Sequence, residues 1–143
     1  MSRYKFLGDY RLRLLFQQAM RERVIKRMKA EKLDYVIAIP ISSERLAQRG
    51  FNQVAPFIPI QVPSCRPLRL KKQPKRDQSS KSRKERMESS QPFELEPDAL
   101  KVVKGKRLLI IDDVYTTGRT LHHASALLLE AGAVHVVSQS LAR

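Results

Sequence analysis

Apolar residues recur at steps of three and four through Leu12, Leu14, Leu15, Phe16, Ala19, Met20, Val24, Ile25 and Met28. That spacing predicts an amphipathic helix beginning after Gly8-Asp9, with Arg11, Arg13, Arg21, Arg23 and Arg27 mainly outside the apolar stripe. Tyr35-Val-Ile-Ala-Ile39 is nearly continuous in apolar character and is stopped by Pro40, the pattern of a strand buried on both faces. Ser42 or Ser43 then caps a short helix from Glu44, and Pro56, Pro59 and Pro63 rule against a helix beyond Ala55. Residues 64–92 offer almost no large apolar side chains and read as a flexible, basic, exposed loop. Order is expected again from Val102-Val103, with a turn at Gly105 and a strand over Arg107–Ile111. Asp112 to Gly118 reads as a loop and Arg119 to Ala131 as a helix through Leu121, Ala124, Leu127 and Leu128. Gly132 suits its C-terminal cap, and Val134–Leu141 forms a last strand. Strand, helix and strand joined by tight turns make a βαβ unit with parallel strands. The expected fold is α/β, a single domain over residues 1–143 built on a parallel sheet with flanking helices.

Charge sharpens this picture. Among 143 residues, 28 Lys and Arg face 14 Asp and Glu, a net charge of +14. Ten basic and two acidic residues between Arg66 and Arg86 account for eight of those charges, and the first 35 residues supply the other six. An anionic partner is therefore expected at two places, the basic helical extension of residues 1–34 and the loop of residues 64–92. The N-terminal helix would dock on DNA, dock on a partner protein, or support a further N-terminal module, and the sequence does not choose among these. A single cysteine, Cys65, excludes an intrachain disulfide framework and a Cys-rich zinc site, and fits a reducing compartment. No apolar run approaches the ~20 residues of a membrane span, and no signal-peptide core stands at the start, so a cytoplasmic location is expected.

The stretch Leu108-Leu-Ile-Ile-Asp112-Asp113-Val-Tyr-Thr116-Thr117-Gly118-Arg119-Thr120-Leu121 carries the chemistry. It lies where α/β sheets bind ligands, between the carboxyl end of a strand and the start of a helix. Backbone amides at such a turn, with the helix dipole behind them, favour an anion. Thr116, Thr117 and Thr120 add hydroxyl donors, Arg119 a positive charge, and Gly118 allows close approach to a phosphate. Two carboxylates beside a phosphate site repel it unless Asp112 and Asp113 accept hydrogen bonds from neutral hydroxyls or meet them through a divalent cation. A ribose 5-phosphate group satisfies both demands. Neither GxxxxGK[ST] nor GxGxxG occurs.

This string resembles the phosphoribosyl-pyrophosphate signature of type I phosphoribosyltransferases. Upstream, Ile39-Pro-Ile-Ser42-Ser-Glu-Arg45-Leu-Ala-Gln-Arg49-Gly50-Phe51-Asn52-Gln53 is similar to a narrower motif of the ComF family, and Gln78, Arg83, Glu85, Arg86 and Phe93 fall where that family carries a further segment. Ser140-Leu-Ala-Arg143 looks like its last strand. The resemblance implies a type I phosphoribosyltransferase-like fold and a competence protein that assists uptake of transforming single-stranded DNA beside a helicase encoded in the same operon. It implies a phosphoribosyl pyrophosphate-like ligand accompanied by Mg²⁺, a diphosphate loop at Ser42 and Arg45, and a hood contributing Arg83 and Arg86. Members of that family usually begin with a four-cysteine zinc module. This chain has no such cysteines, so no zinc or other protein-held metal is expected in it, and it is either a truncated form or a compact variant. The prolines after Asn52 replace what is usually a longer helix.

Two functions follow. One is a ligand-binding module in DNA uptake, with Lys71, Lys72, Lys75 and Arg76 on the DNA phosphates, since such contacts dominate nucleic-acid affinity. The other is an active phosphoribosyltransferase, amidophosphoribosyltransferase-like, acting on a nucleobase or amine. Only five Phe, four Tyr and no Trp are present to build an acceptor pocket, which favours binding.

Overall fold

The computed structural model describes residues 10–72, 91–115 and 117–142. Three parallel strands, β1 (Tyr35–Ala38), β4 (Arg107–Val114) and β5 (His135–Ala142), form the main sheet in the order β1-β4-β5. Tyr35 lies opposite Leu108, and Arg107 opposite His135. A two-stranded antiparallel sheet pairs β2 (Leu68–Leu70) with β3 (Phe93–Leu95). The helices are α1 (Tyr10–Ala30), α2 (Ser43–Arg49), α3 (Ala99–Val103) and α4 (Arg119–Glu130), and a 3₁₀ turn spans Ala55–Phe57.

The continuous apolar run of β4 has a direct cause. Alternation along the strand sends Leu108 and Ile110 to one face, where they pack with Ile37, Val103, Leu121, Ala124 and Leu128. Leu109 and Ile111 go to the other face, against Met20, Val24, Met28, Val54 and Phe57. All four β4 residues are fully buried, as the unbroken pattern requires. On α1 the buried stripe is Met20, Val24 and Met28, four residues apart, whereas Leu14 and Ala19 are exposed. The helix closes at Lys32, which takes φ 51°, and Leu33 N–H donates to Met28 O at 2.9 Å. Arg27 Nη1 then reaches Ser138 O at 2.6 Å, fastening α1 to β5.

Two boundaries differ from the sequence reading. Residues 64–92 are not one loop. Ser64 bridges Val36 in parallel, and Leu68-Arg69-Leu70 forms β2, with Leu68 buried against the main core. Arg69 Nε meets Glu94 Oε1 across the hairpin at 2.8 Å. β3 begins at Phe93, ahead of Val102. The second difference concerns Asp112 and Asp113, which belong to β4 and not to a loop. Pairing with β5 continues through Asp112↔Ser140 to Val114↔Ala142.

Candidate ligand site

The site is built at the carboxyl edge of the parallel strands. β1 pairs with β4 as far as Ala38↔Ile111, and Ile39 N–H donates to Ile111 O at 3.0 Å. Beyond that point β1 departs at Pro40, and the β4 side chains themselves accept from the next amides. Asp112 Oδ1 accepts from Asp113 N–H at 2.8 Å, and Asp113 Oδ1 from Val114 N–H at 2.8 Å. Strand alternation places Asp112 on the α4 face and Asp113 on the α1 face. Both carboxylates are half-buried and flank the carboxyl end of the strand.

The chain then turns into α4. Gly118 stands at the helix N-cap with φ 74° and ψ −2°, a left-handed conformation that glycine adopts without a Cβ penalty. A Cβ there would lie 2.5 Å from Tyr115 Oη and 2.8 Å from Cζ, so the tyrosine ring covers the glycine. Thr117 Oγ1 accepts from Arg119 N–H at 3.4 Å, and Gly118 O accepts from His122 N–H at 2.9 Å. Thr117, Arg119 and Thr120 are exposed, and no acidic residue occupies the first turn of α4. The positive end of a 12-residue helix therefore faces solvent beside the acid pair.

A second loop leaves β1 at the same edge. Ser42, not Ser43, caps α2, its Oγ accepting from Arg45 N–H at 3.2 Å while its own O–H is left to donate. Arg45 is exposed. Gly50 ends α2 at φ 75°, and its N–H donates to Leu46 O at 2.7 Å. Asp112, Asp113, Thr117, Gly118, Arg119 and Thr120 thus share one sheet edge with the loop carrying Ser42 and Arg45. Lys71 and Lys72 are exposed where the chain leaves β2, in the separate two-stranded sheet. Thr116, Lys75, Arg76, Arg83 and Arg86 lie outside the described residues.

Sequence reasoning missed the polar ties behind these loops. Gln91 Nε2 donates to His123 O at 2.7 Å and its Oε1 accepts from Phe93 N–H at 3.2 Å, linking the start of β3 to α4. Nothing in the pattern around a single glutamine announces that role. His122 and His123 meet edge to face, and among the described residues no three metal-ligating side chains cluster. Burial pushes the Cys65 thiol up to about 11, which suits a packing residue and not a nucleophile.

The phosphoribosyl transferase domain family matches residues 15–142, nearly all of the fold just described. The chain belongs to that family. Within it, the chain is 40% identical over 142 residues to Competence protein ComFC of Streptococcus pneumoniae, covering 99% of this chain and 61% of that protein. It is 35% identical over 140 residues to Competence protein ComFC of Bacillus subtilis, covering 96% of this chain and 55% of that protein. The ComF resemblance read from the motifs is met by these relatives, and the chain spans roughly three-fifths of their length. Among solved structures, a purine phosphoribosyltransferase from Pyrococcus horikoshii superposes with a TM-score of 0.50 at 17% identity, over 89% of this chain and 73% of that one. The L. donovani hypoxanthine-guanine phosphoribosyl transferase gives 0.51 at 11% identity, over 88% and 65%. At that identity the likeness concerns the fold, which is the type I phosphoribosyltransferase fold expected from the sequence. No described helix is long and apolar enough to cross a membrane.

Proposed function

We propose that the chain holds a phosphoribosyl pyrophosphate-like ligand at the carboxyl edge of β4 and serves DNA uptake in competence. The observation that carries the ligand is the acid pair in the last paired residues of β4, Asp112 and Asp113, followed within five residues by the left-handed Gly118 at the N-terminus of α4. In this reading the 5-phosphate takes amides and hydroxyls of Thr116–Thr120, and Arg119 adds charge. Asp112 and Asp113 receive the ribose hydroxyls or a cation between them and the ligand, and Ser42 and Arg45 receive the diphosphate. Arg83 and Arg86 serve as hood contacts. Two half-buried carboxylates suit Mg²⁺, which binds through one or two carboxylates and completes its shell with ligand phosphates and water. When bound, Mg²⁺ would neutralise diphosphate charge. The competence role is supported by the two ComFC relatives. DNA phosphates would meet Lys71, Lys72, Lys75 and Arg76, with a helicase as protein partner and the cytoplasm as location.

A transferase reading is favoured by one observation, the exposed Tyr115 ring at the phosphate loop, a surface on which a flat acceptor stacks. The C1–oxygen bond to diphosphate would break, a C1–nitrogen bond would form, and the acceptor nitrogen would release its proton to solvent. Pyrophosphate release in the presence of nucleobases or amines tests this.

Calorimetry with ribose 5-phosphate and with inorganic phosphate tests the ligand reading. Asp112→Asn with Asp113→Asn is expected to abolish ribose 5-phosphate binding while inorganic phosphate still binds, because the carboxylates address hydroxyls. Unchanged ribose 5-phosphate affinity with an unchanged circular-dichroism spectrum would contradict the ribose assignment.

A further inference from the structure

The segment Gly50-Phe51-Asn52-Gln53 belongs to the ComF-like motif, yet no ligand role falls on it. We propose that Asn52 is a positioning residue that clasps the loop carrying Ser42 and Arg45 onto the end of β1. The inference rests on the proposed diphosphate role of that loop. α2 buries none of its residues, so packing does not hold it in place. At seven residues it is also too short to be stable by itself. Its position must be set at the ends of the loop.

Asn52 joins those ends. Its Nδ2 donates to Ile39 O at 3.1 Å, and its Oδ1 accepts from Val54 N–H at 2.9 Å. The amide orientation is dictated by its partners, since a carbonyl needs a donor and an N–H an acceptor. Both partners are fixed. Val54 is 3% exposed in the core against α1, and Ile39 is 5% exposed with its N–H on Ile111 O. Ile111 directly precedes Asp112, so the clasp registers one ligand loop against the strand that carries the other. Gln53, 5% exposed, adds a second tie by accepting from Arg49 Nη1 at 3.1 Å.

Asn52→Asp keeps the acceptor for Val54 N–H but turns a carboxylate oxygen toward Ile39 O, and Asn52→Ala removes both bonds without adding charge. Amide hydrogen exchange reads the clasp without a ligand. Both variants are expected to exchange faster at Leu46 and Gly50, the amides bonded within the loop, while Leu109 and Ile110 exchange as in the parent. Calorimetry with Mg²⁺ then uses inorganic pyrophosphate and ribose 5-phosphate as separate probes. Pyrophosphate affinity is expected to fall about tenfold in both variants, and ribose 5-phosphate affinity to stay within about twofold. Unchanged exchange at Leu46 and Gly50 would overturn the proposal whatever binds. Equal losses for the two probes would also overturn it, by reducing Asn52 to a general structural role. If the parent protein binds neither probe, the ligand reading fails, and faster exchange at Leu46 and Gly50 would still uphold the clasp.

Discussion

Replacing Gly118 with alanine perturbs the phosphate loop at a point where two costs are separable. An L-residue held at φ 74° costs about 1–2 kcal/mol in the left-handed region. Alanine recovers about 0.4–1 kcal/mol of that by restricting the unfolded chain. The second cost is steric. The new Cβ would stand 2.5 Å from Tyr115 Oη and 2.8 Å from Cζ, where comfortable contact needs about 3.5–4.0 Å. Tyr115 is 37% exposed, so its ring can swing away, at about 0.5–1.5 kcal/mol for leaving its rotamer. The expected destabilisation is about 2 kcal/mol, a fall in Tm of about 4–8 °C. Urea unfolding of Gly118→Ala, Tyr115→Ala and the double variant separates the two parts. In the Tyr115→Ala background the glycine substitution should cost only the backbone part, about 1 kcal/mol. A neutral Gly118→Ala, or a cost that Tyr115→Ala does not reduce, would refute this account of the loop.

Three further expectations concern other sites. With its thiol pushed up to about 11 from an ordinary 9.0, Cys65 should react with iodoacetamide at mildly alkaline pH about a hundredfold more slowly folded than unfolded, and equal rates would show it unburied. The Glu31 carboxyl is held below its ordinary 4.5 by hydrogen bonds from Arg27 and His135. Its stabilisation is present above that ordinary value and lost as pH falls through the lower folded value, so Glu31→Gln should be less stable than the parent at neutral pH and converge with it in acid unfolding. Replacing Lys71, Lys72, Lys75 and Arg76 by serine should flatten the log–log salt dependence of single-stranded DNA binding by about 2–3, read by fluorescence anisotropy; an unchanged slope places DNA on α1 instead.

The sequence was most legible where one interaction dominates. The run Leu108–Ile111 read as a strand and is one, covered on both faces, and Met20, Val24 and Met28 recur at the step that one helix face requires. The pair Ser42-Ser43 announced a cap by its chemistry, and the folded backbone selects Ser42. Pattern failed where pairing is non-local. β2 is three residues long inside a basic stretch, and its partner β3 begins more than twenty residues later, so no local period reveals the hairpin. Asp112 and Asp113 looked like loop because charge breaks an apolar run, yet pairing with Ser140 and Ala142 carries the strand past them. Asn52 was visible only as part of a motif, since its partners Ile39 and Val54 are named by the folded backbone alone.

A crystal structure with ribose 5-phosphate and Mg²⁺ bound tests the central claim most directly. The account predicts the phosphate against the backbone of Thr117–Thr120, and the ribose hydroxyls directed to Asp112 and Asp113, directly or through the cation. A phosphate seated instead on α1 or beside Lys71 and Lys72, with the β4–α4 edge bare, would contradict it.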